Sequence, residues 1–266
     1  MKKYKIGFIG CGHMGMAIVK GAIEKGFIGK EDVLICDFSE KVKETCEEYG
    51  LAMVKDIKEL NEHCRIVTLA VRPQDMEPVL EQLQGEKIEV ILSIVTSVSI
   101  RTLQDRLGNV PVIRAMPNTP LQLGKGSTVI CCSGNCLNED YEFIRQLFSS
   151  VGICRDIAED RIDDAVCIHG SIPAYVYYLT QSILEDMIER GHREEDIRDL
   201  LVETIIGSGE LMKKNADRPL KELIDEVCSK GGTTIEAVQE MERQQFKKII
   251  HDANEKCINR AKQLGK

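Results

Sequence analysis

At 266 residues the chain has room for one large domain or two ordinary ones, and 43% apolar with 29% charged residues is a globular composition with enough material for a buried core. A formal charge of −8 gives no broad field attractive to phosphates, and 5% aromatic residues without Trp offer little for bases to stack on, so nucleic acid is excluded as a partner. Eleven Cys with no CxxC pair point to reduced, mostly buried thiols and a cytoplasmic protein; the tightest group, Cys131, Cys132 and Cys136, lacks a nearby His, so no metal is expected.

Lys2, Lys3 and Lys5 precede an apolar stretch in the manner of a signal peptide, but Gly10, Gly12, His13 and Gly15 interrupt it and no small-residue cleavage site follows. No run of about eighteen apolar residues occurs, so no membrane span is expected. Residues 4–9 read as a strand and 14–25 as a helix. Then come a strand at 33–37, a helix at 39–50, a strand at 66–71, a helix at 74–84, a strand at 89–95, a helix at 99–107 and a strand at 111–117. A further strand at 127–133 and a helix at 138–150 complete the pattern. Near-continuous apolar strands alternating with helices predict a parallel sheet covered on both faces. From about Ile157 only helical periodicity remains, over 161–190, 194–214, 218–228 and 233–264. The last of these carries Val238, Met241, Phe246, Ile249, Ile250, Ala253 and Cys257 at steps of three, four and five, with Ile249 and Ile250 adjacent, one apolar stripe. The expected organisation is α/β: a doubly wound Rossmann domain over 1–157, followed by an all-helical domain over 158–266 that pairs with a second copy of itself.

Gly10-Cys11-Gly12-His13-Met14-Gly15 fits GxGxxG between a strand and a helix, the setting in which that pattern binds a dinucleotide. Gly10 permits the tight turn, Gly12 lets backbone amides approach a pyrophosphate, and Gly15 lets the helix close on the sheet. A plain glycine-rich turn is the alternative. Asp37, ending the second strand, is placed to bond the adenosine ribose hydroxyls, which favours NADH weakly over NADPH because Lys41 and Lys43 can each reach a phosphate. It can instead cap the helix at 39–50, although Ser39 suits that role better. Ala70-Val71-Arg72-Pro73 and residues 93–97, with Val95, Thr96 and Ser97, close the third and fourth strands, where they can touch the nicotinamide half.

The segment from Leu223 to Phe246, LIDEVCSKGGTTIEAVQEMERQQF, resembles the signature of pyrroline-5-carboxylate reductases. GFIGCGHMG at 7–15, AVRP at 70–73, IRAMPNTP at 113–120 and DAV followed by GSIPAYV at 164–176 stand in the family's order, so the resemblance spans nearly the whole chain. It implies an intertwined homodimer, assembled in some members into a larger ring such as a decamer. It further implies NAD(P)H as hydride donor and 1-pyrroline-5-carboxylate, a small imino acid, as the acceptor that becomes L-proline. Ile9 to Met14 would then wrap the pyrophosphate. Gly231, Gly232 and Thr233, with Ser229 alongside, would hold the substrate carboxylate, and the catalytic Thr234 hydroxyl would meet the ring nitrogen. The residue chemistry agrees, since a Ser-Lys-Gly-Gly-Thr-Thr turn opening a helix offers amides, hydroxyls and dipole to an anion. Its alternative is a plain helix cap.

Met116 to Pro120, with Asn118 counted among the cofactor contacts, is expected to line the cleft or else to be a rigid connector. His169 reads as a polar loop residue rather than a ligand or acid. Four places depart from the family pattern: Val95-Thr96-Ser97 for Ala-Ala-Gly, His169 and Ile172 within the usual Ser-Gly-Ser-Gly-Pro-Ala, Lys230 for proline, and Asp37 for a small polar residue. They leave open a reductase of another cyclic imine, or a competence-type regulatory relative that binds cofactor without turnover.

Overall fold

The computed structural model describes residues 2–264 and contains two compact units, residues 2–173 with 257–264 and residues 174–256. In the first unit eight strands form one sheet: β1 (Tyr4–Ile9), β2 (Val33–Cys36), β3 (Ala52–Val54), β4 (Cys64–Leu69), β5 (Val90–Ser93), β6 (Val112–Met116), β7 (Gly126–Cys132) and β8 (Gly152–Asp156). Their order is β3-β2-β1-β4-β5-β6-β7-β8, the doubly wound arrangement with its switch between β1 and β4. Every residue of β2, β5 and β6 is buried, as strands covered on both faces require.

Two apolar layers do the covering. On one face Ile18 and Val19 of helix His13–Glu24, Val42 and Cys46 of helix Glu40–Tyr49, and Ile144, Leu147 and Phe148 of helix Asn138–Ser150 pack with Phe8, Ile35 and Leu92. On the other, helices Ile57–His63, Met76–Leu83 and Ile100–Leu107 bring Leu60, Leu80 and Leu103 against Leu69, Ile91 and Val112. Arg114 on β6 is only 4% exposed, and its guanidinium donates to Glu159 at 3.1 Å and Asp163 at 3.2 Å. Glu159 also accepts the Ile100 N–H at 2.6 Å, so one carboxylate ties β6 to the helix after β5.

The sheet is larger than the sequence pattern suggests. β3 is only three half-buried residues, Ala52-Met53-Val54, and β8 buries only Cys154, so neither edge strand carries an apolar run long enough to stand out. Helix Ile57–His63 was also not expected, although Asp56 caps it by accepting from the Lys58 N–H at 2.7 Å and the Glu59 N–H at 3.2 Å. β7 runs antiparallel to β6. Its link, residues 117–125, holds a 3₁₀ turn at Thr119–Leu123 and is shorter than the dozen or so residues a parallel crossover needs.

The helical half also breaks where one run was expected. The stretch 161–190 divides into helix Glu159–Ile162, a π-helical turn at Val166–Gly170 and helix Ile172–Glu189. The stretch 233–264 divides into Thr233–Arg243 and Phe246–Leu264 around Gln245, which has φ 58°. The break falls in the five-residue step from Met241 to Phe246, the one step that throws a stripe off a helix face.

In the second unit, residues 174–256, no side chain is buried. Tyr177, Tyr178, Leu200 and Val227 are each more than 60% exposed. Apolar surface of that extent marks a face built to be covered. Among the described residues no helix is long and apolar enough to cross a membrane.

Candidate active site

The register of the sheet gathers the dinucleotide motif. Ile9 pairs with Cys36 on one side and Leu69 on the other, so Gly10, Asp37 and Ala70 leave three neighbouring strands at one level. The Gly10 N–H donates to the Cys36 carbonyl at 2.9 Å and the Ala70 N–H to the Ile9 carbonyl at 2.9 Å. Gly10 turns with φ 75°, and a methyl group there would stand 2.5 Å from Val71 Cγ1 and 3.1 Å from Val71 Cα, so glycine is needed for both conformation and space. Gly12 then serves as the N-cap of helix His13–Glu24 with no capping side chain, leaving the first-turn amides to an external acceptor. A methyl group on Gly12 would meet nothing within 4 Å. That open space is what a pyrophosphate requires.

A cavity of about 600 Å³ opens at this turn. Its wall includes Cys11, Gly12, His13 and Asp37 from the expected cofactor residues, and Lys41 from the second helix. Lys43 does not line it; its ammonium is bonded to Glu40 at 2.8 Å, which pushes the amine up from its ordinary pKa. The Asp37 carboxylate accepts the Cys11 N–H at 2.6 Å and the Ser39 N–H at 2.8 Å, so it shapes the glycine turn as well as facing the cavity. The Cys11 amide is thereby turned to Asp37, and the Cys11 thiol is fully buried, with a pKa raised first by that burial. Ile9 is in the core, and Met14 packs against the core rather than on the cavity wall.

Lys20, Thr45 and Gln122 also line the cavity and escaped sequence reading. Lys20 is legible in hindsight, one helical turn beyond Met16 on the same face. Gln122 arrives from the β6–β7 link and leaves no local signal.

The remaining expected residues lie beyond the ends of β4, β5 and β6. Val71 supports Gly10 as above, Arg72 is exposed and bonded to Asp75 at 2.7 Å, and Pro73 opens a short 3₁₀ turn. Val95 is buried in the core cluster and Thr96 is half-buried. Ser97 has φ 68°, is 7% exposed, and its hydroxyl has no partner. Asn118 acts as a strut: its amide nitrogen donates to Ser127 Oγ at 3.1 Å and to the His169 carbonyl at 3.2 Å, and its oxygen accepts the Ser127 N–H at 2.9 Å.

In the second unit, helix Thr233–Arg243 starts at Gly232 with no capping side chain. Gly231 has φ 72°, and the Gly232 N–H returns to the Ser229 carbonyl at 3.0 Å, so Ser229 to Thr233 form a tight turn at a helix N-terminus. A side chain at Gly232 would collide with Ser229 Oγ at 2.5 Å. Thr234 lines a cavity of about 430 Å³ with Leu223, Val227, Cys228 and Val238 among its walls.

Known proteins match both halves. Residues 159–264 fit the family described as pyrroline-5-carboxylate reductase dimerisation, and residues 5–97 fit one described as NADP oxidoreductase, coenzyme F420-dependent. The chain is 32% identical to pyrroline-5-carboxylate reductase of Aquifex aeolicus over 98% of its own length and 96% of that protein's. It is 31% identical to the Escherichia coli enzyme of that name, over 98% of each. The crystal structure of Plasmodium falciparum pyrroline carboxylate reductase with NADP bound superposes with a TM-score of 0.89 at 31% identity, covering 100% of both chains. With identity at this level over nearly the whole of both chains, and the helical half fitting the family's dimerisation model, the chain belongs to the pyrroline-5-carboxylate reductase family.

Proposed function

We propose that the chain reduces 1-pyrroline-5-carboxylate to L-proline with hydride from NAD(P)H, NADH being the preferred donor. The observation that carries the reading is the end-to-end match with reductases of that name at about 30% identity. A bound dinucleotide supplies the hydride. The chain's own work is positional, and positioning alone is worth roughly 7–11 kcal/mol in the best model systems. The uncapped amides after Gly12 hold the pyrophosphate, and Asp37 meets the ribose at the cavity wall. That carboxylate, with Lys43 diverted to Glu40 and only Lys41 of the two on the wall, supports the NADH preference. Ala70 to Pro73, Val95 to Ser97 and Asn118 frame the nicotinamide half.

In the second unit the amides of Gly231, Gly232 and Thr233, beside Ser229, receive the substrate carboxylate, and the Thr234 hydroxyl bonds the ring nitrogen. An iminium that binds already protonated needs no strong side-chain acid. The self-association named by the dimerisation match extends, in this reading, to a larger ring such as a decamer, and the protein works in the cytoplasm.

Two of the departures from the family pattern, at Ile172 and Lys230, do not favour the regulatory or other-imine alternatives. Ile172 begins a helix, is 37% exposed, and is not among the residues with positive φ. Lys230 is exposed beside the turn. The test is direct: incubate the protein with 1-pyrroline-5-carboxylate and NADH or NADPH, and follow nicotinamide oxidation and proline together. Proline formed one-for-one with oxidised cofactor is expected; cofactor binding without proline would overturn the reading.

A further inference from the structure

His169 is the fourth residue of the π-helical turn Val166–Gly170, 8% exposed, and neither Nδ1 nor Nε2 has a hydrogen-bond partner. A histidine buried for packing alone ordinarily keeps at least one ring nitrogen bonded, because a desolvated donor or acceptor left empty is costly. π-helical turns also collect at functional sites. Here the turn is held from outside the helix. Asn118 grips the His169 carbonyl at 3.2 Å while Ser127 fixes Asn118, so the strut serves to place this residue.

The place is informative. A methyl group on Gly170 would lie 4.0 Å from Met116 Sδ, which sets the turn against the last residue of β6. β6 pairs with β5, Arg114 beside Ser93, and β5 runs on into Val95 to Ser97, where a second buried hydroxyl has no partner. A dinucleotide anchored by its pyrophosphate beyond β1 extends across the carboxyl ends of the strands, and its nicotinamide half reaches those of β4, β5 and β6. Two unpaired polar side chains therefore sit at the sheet end where the ring arrives.

We propose that His169 is a positioning residue that hydrogen-bonds the carboxamide of the bound nicotinamide. Burial holds its pKa down, so the ring is neutral and carries one N–H and one lone pair. A carboxamide offers both a carbonyl oxygen and an NH₂, so either imidazole tautomer finds a partner. Fixing the carboxamide fixes the ring's rotation, and with it the face that delivers hydride. The usual family residue here is serine, which is shorter and whose single hydroxyl reaches less far.

The proposal rests on the NAD(P)H reading above, and the test separates the two. Measure the affinities of wild type, His169→Ala and His169→Gln for NADH and for ADP-ribose, which lacks the nicotinamide ring. Loss of one hydrogen bond to a desolvated partner should weaken NADH binding to His169→Ala on the order of tenfold, with ADP-ribose unchanged and with His169→Gln restoring most of the loss. An unchanged ratio of NADH to ADP-ribose affinity in His169→Ala, or an equal loss of both ligands, would overturn it. Failure of ADP-ribose to bind wild type would instead count against the cofactor site itself.

Discussion

Replacing Ser97 with glycine should make the protein more stable. Ser97 sits at φ 68°, a conformation that costs an L-residue about 1–2 kcal/mol, and its hydroxyl is buried without a partner, which costs about 1–3 kcal/mol more. Against that, glycine loses about 0.5–1 kcal/mol more chain entropy on folding, and the removed Cβ withdraws one buried carbon worth about 0.8 kcal/mol. Taking the middle of the strain range and the lower half of the desolvation range leaves a net gain of about 1–2 kcal/mol. In a chain of this size that is a rise in Tm of roughly 2–8 °C. Calorimetry of wild type and Ser97→Gly at equal protein concentration, without cofactor, reads it. If the Ser97 hydroxyl finds its partner on the nicotinamide half, saturating NADH should shrink the difference. A glycine variant no more stable than wild type without cofactor would show that the backbone there is not strained and that the hydroxyl is not deprived.

Asp37→Ser should raise NADPH use relative to NADH, and because the carboxylate also holds the Cys11 and Ser39 amides, it should weaken binding of both; an unchanged cofactor ratio removes Asp37 from cofactor choice. Thr234→Ala should lose turnover while keeping NADH affinity, since the two lie on separate units of the fold; full activity would remove Thr234 from the chemistry. Burial holds the His169 pKa below its ordinary 6.5, so as pH falls the unfolded chain takes up that proton first. The stability linked to His169 is therefore complete above about pH 6.5 and is lost as pH falls through the folded value. Urea unfolding from neutral to mildly acidic pH should show a shallower decline in His169→Gln than in wild type, and parallel declines would contradict it.

What the sequence reveals follows what each element must do alone. β1, β2, β4, β5 and β6 are apolar at nearly every position because both faces are covered, and that density is visible in one dimension. Ala52–Val54 is a three-residue apolar piece and Gly152–Asp156 a mixed one, each pairing with a single neighbour at an edge of the sheet, so neither stands out from the chain around it. The antiparallel turn of β7 was available in the short link before it, yet link length speaks only once both flanking strands are assigned. Gly10 was readable because the turn, at φ 75° and hard against Val71, admits only glycine, and Gly12 and Asp37 because they stand at fixed places in the strand–turn–helix pattern. Lys20 and Gln122 come to the same cavity from a helix face and a loop that no motif connects. Asn118 and His169 depend on each other across the fold, and neither the strut nor the empty imidazole leaves a trace in spacing.

The two units place different demands on assembly, and dilution should expose the difference. The first unit has its own core on both sides of the sheet, and every residue assigned to the dinucleotide belongs to it. The second has no buried side chain, although it carries the Ser229–Thr234 turn proposed above to receive the substrate carboxylate. A helical unit of that kind keeps its geometry only while its apolar faces are covered, and the match to a dimerisation family makes a second copy the cover. Diluted below the dissociation constant of the dimer, the protein should therefore lose turnover per chain while NADH binding per chain persists. Specific activity and NADH fluorescence followed over the same dilution series, with mass measured at each point, would show the two curves separating as the dimer disappears. Specific activity that stays constant into the range where only single chains are present would mean that the substrate turn stands without a partner, and the division of labour between the units would fall.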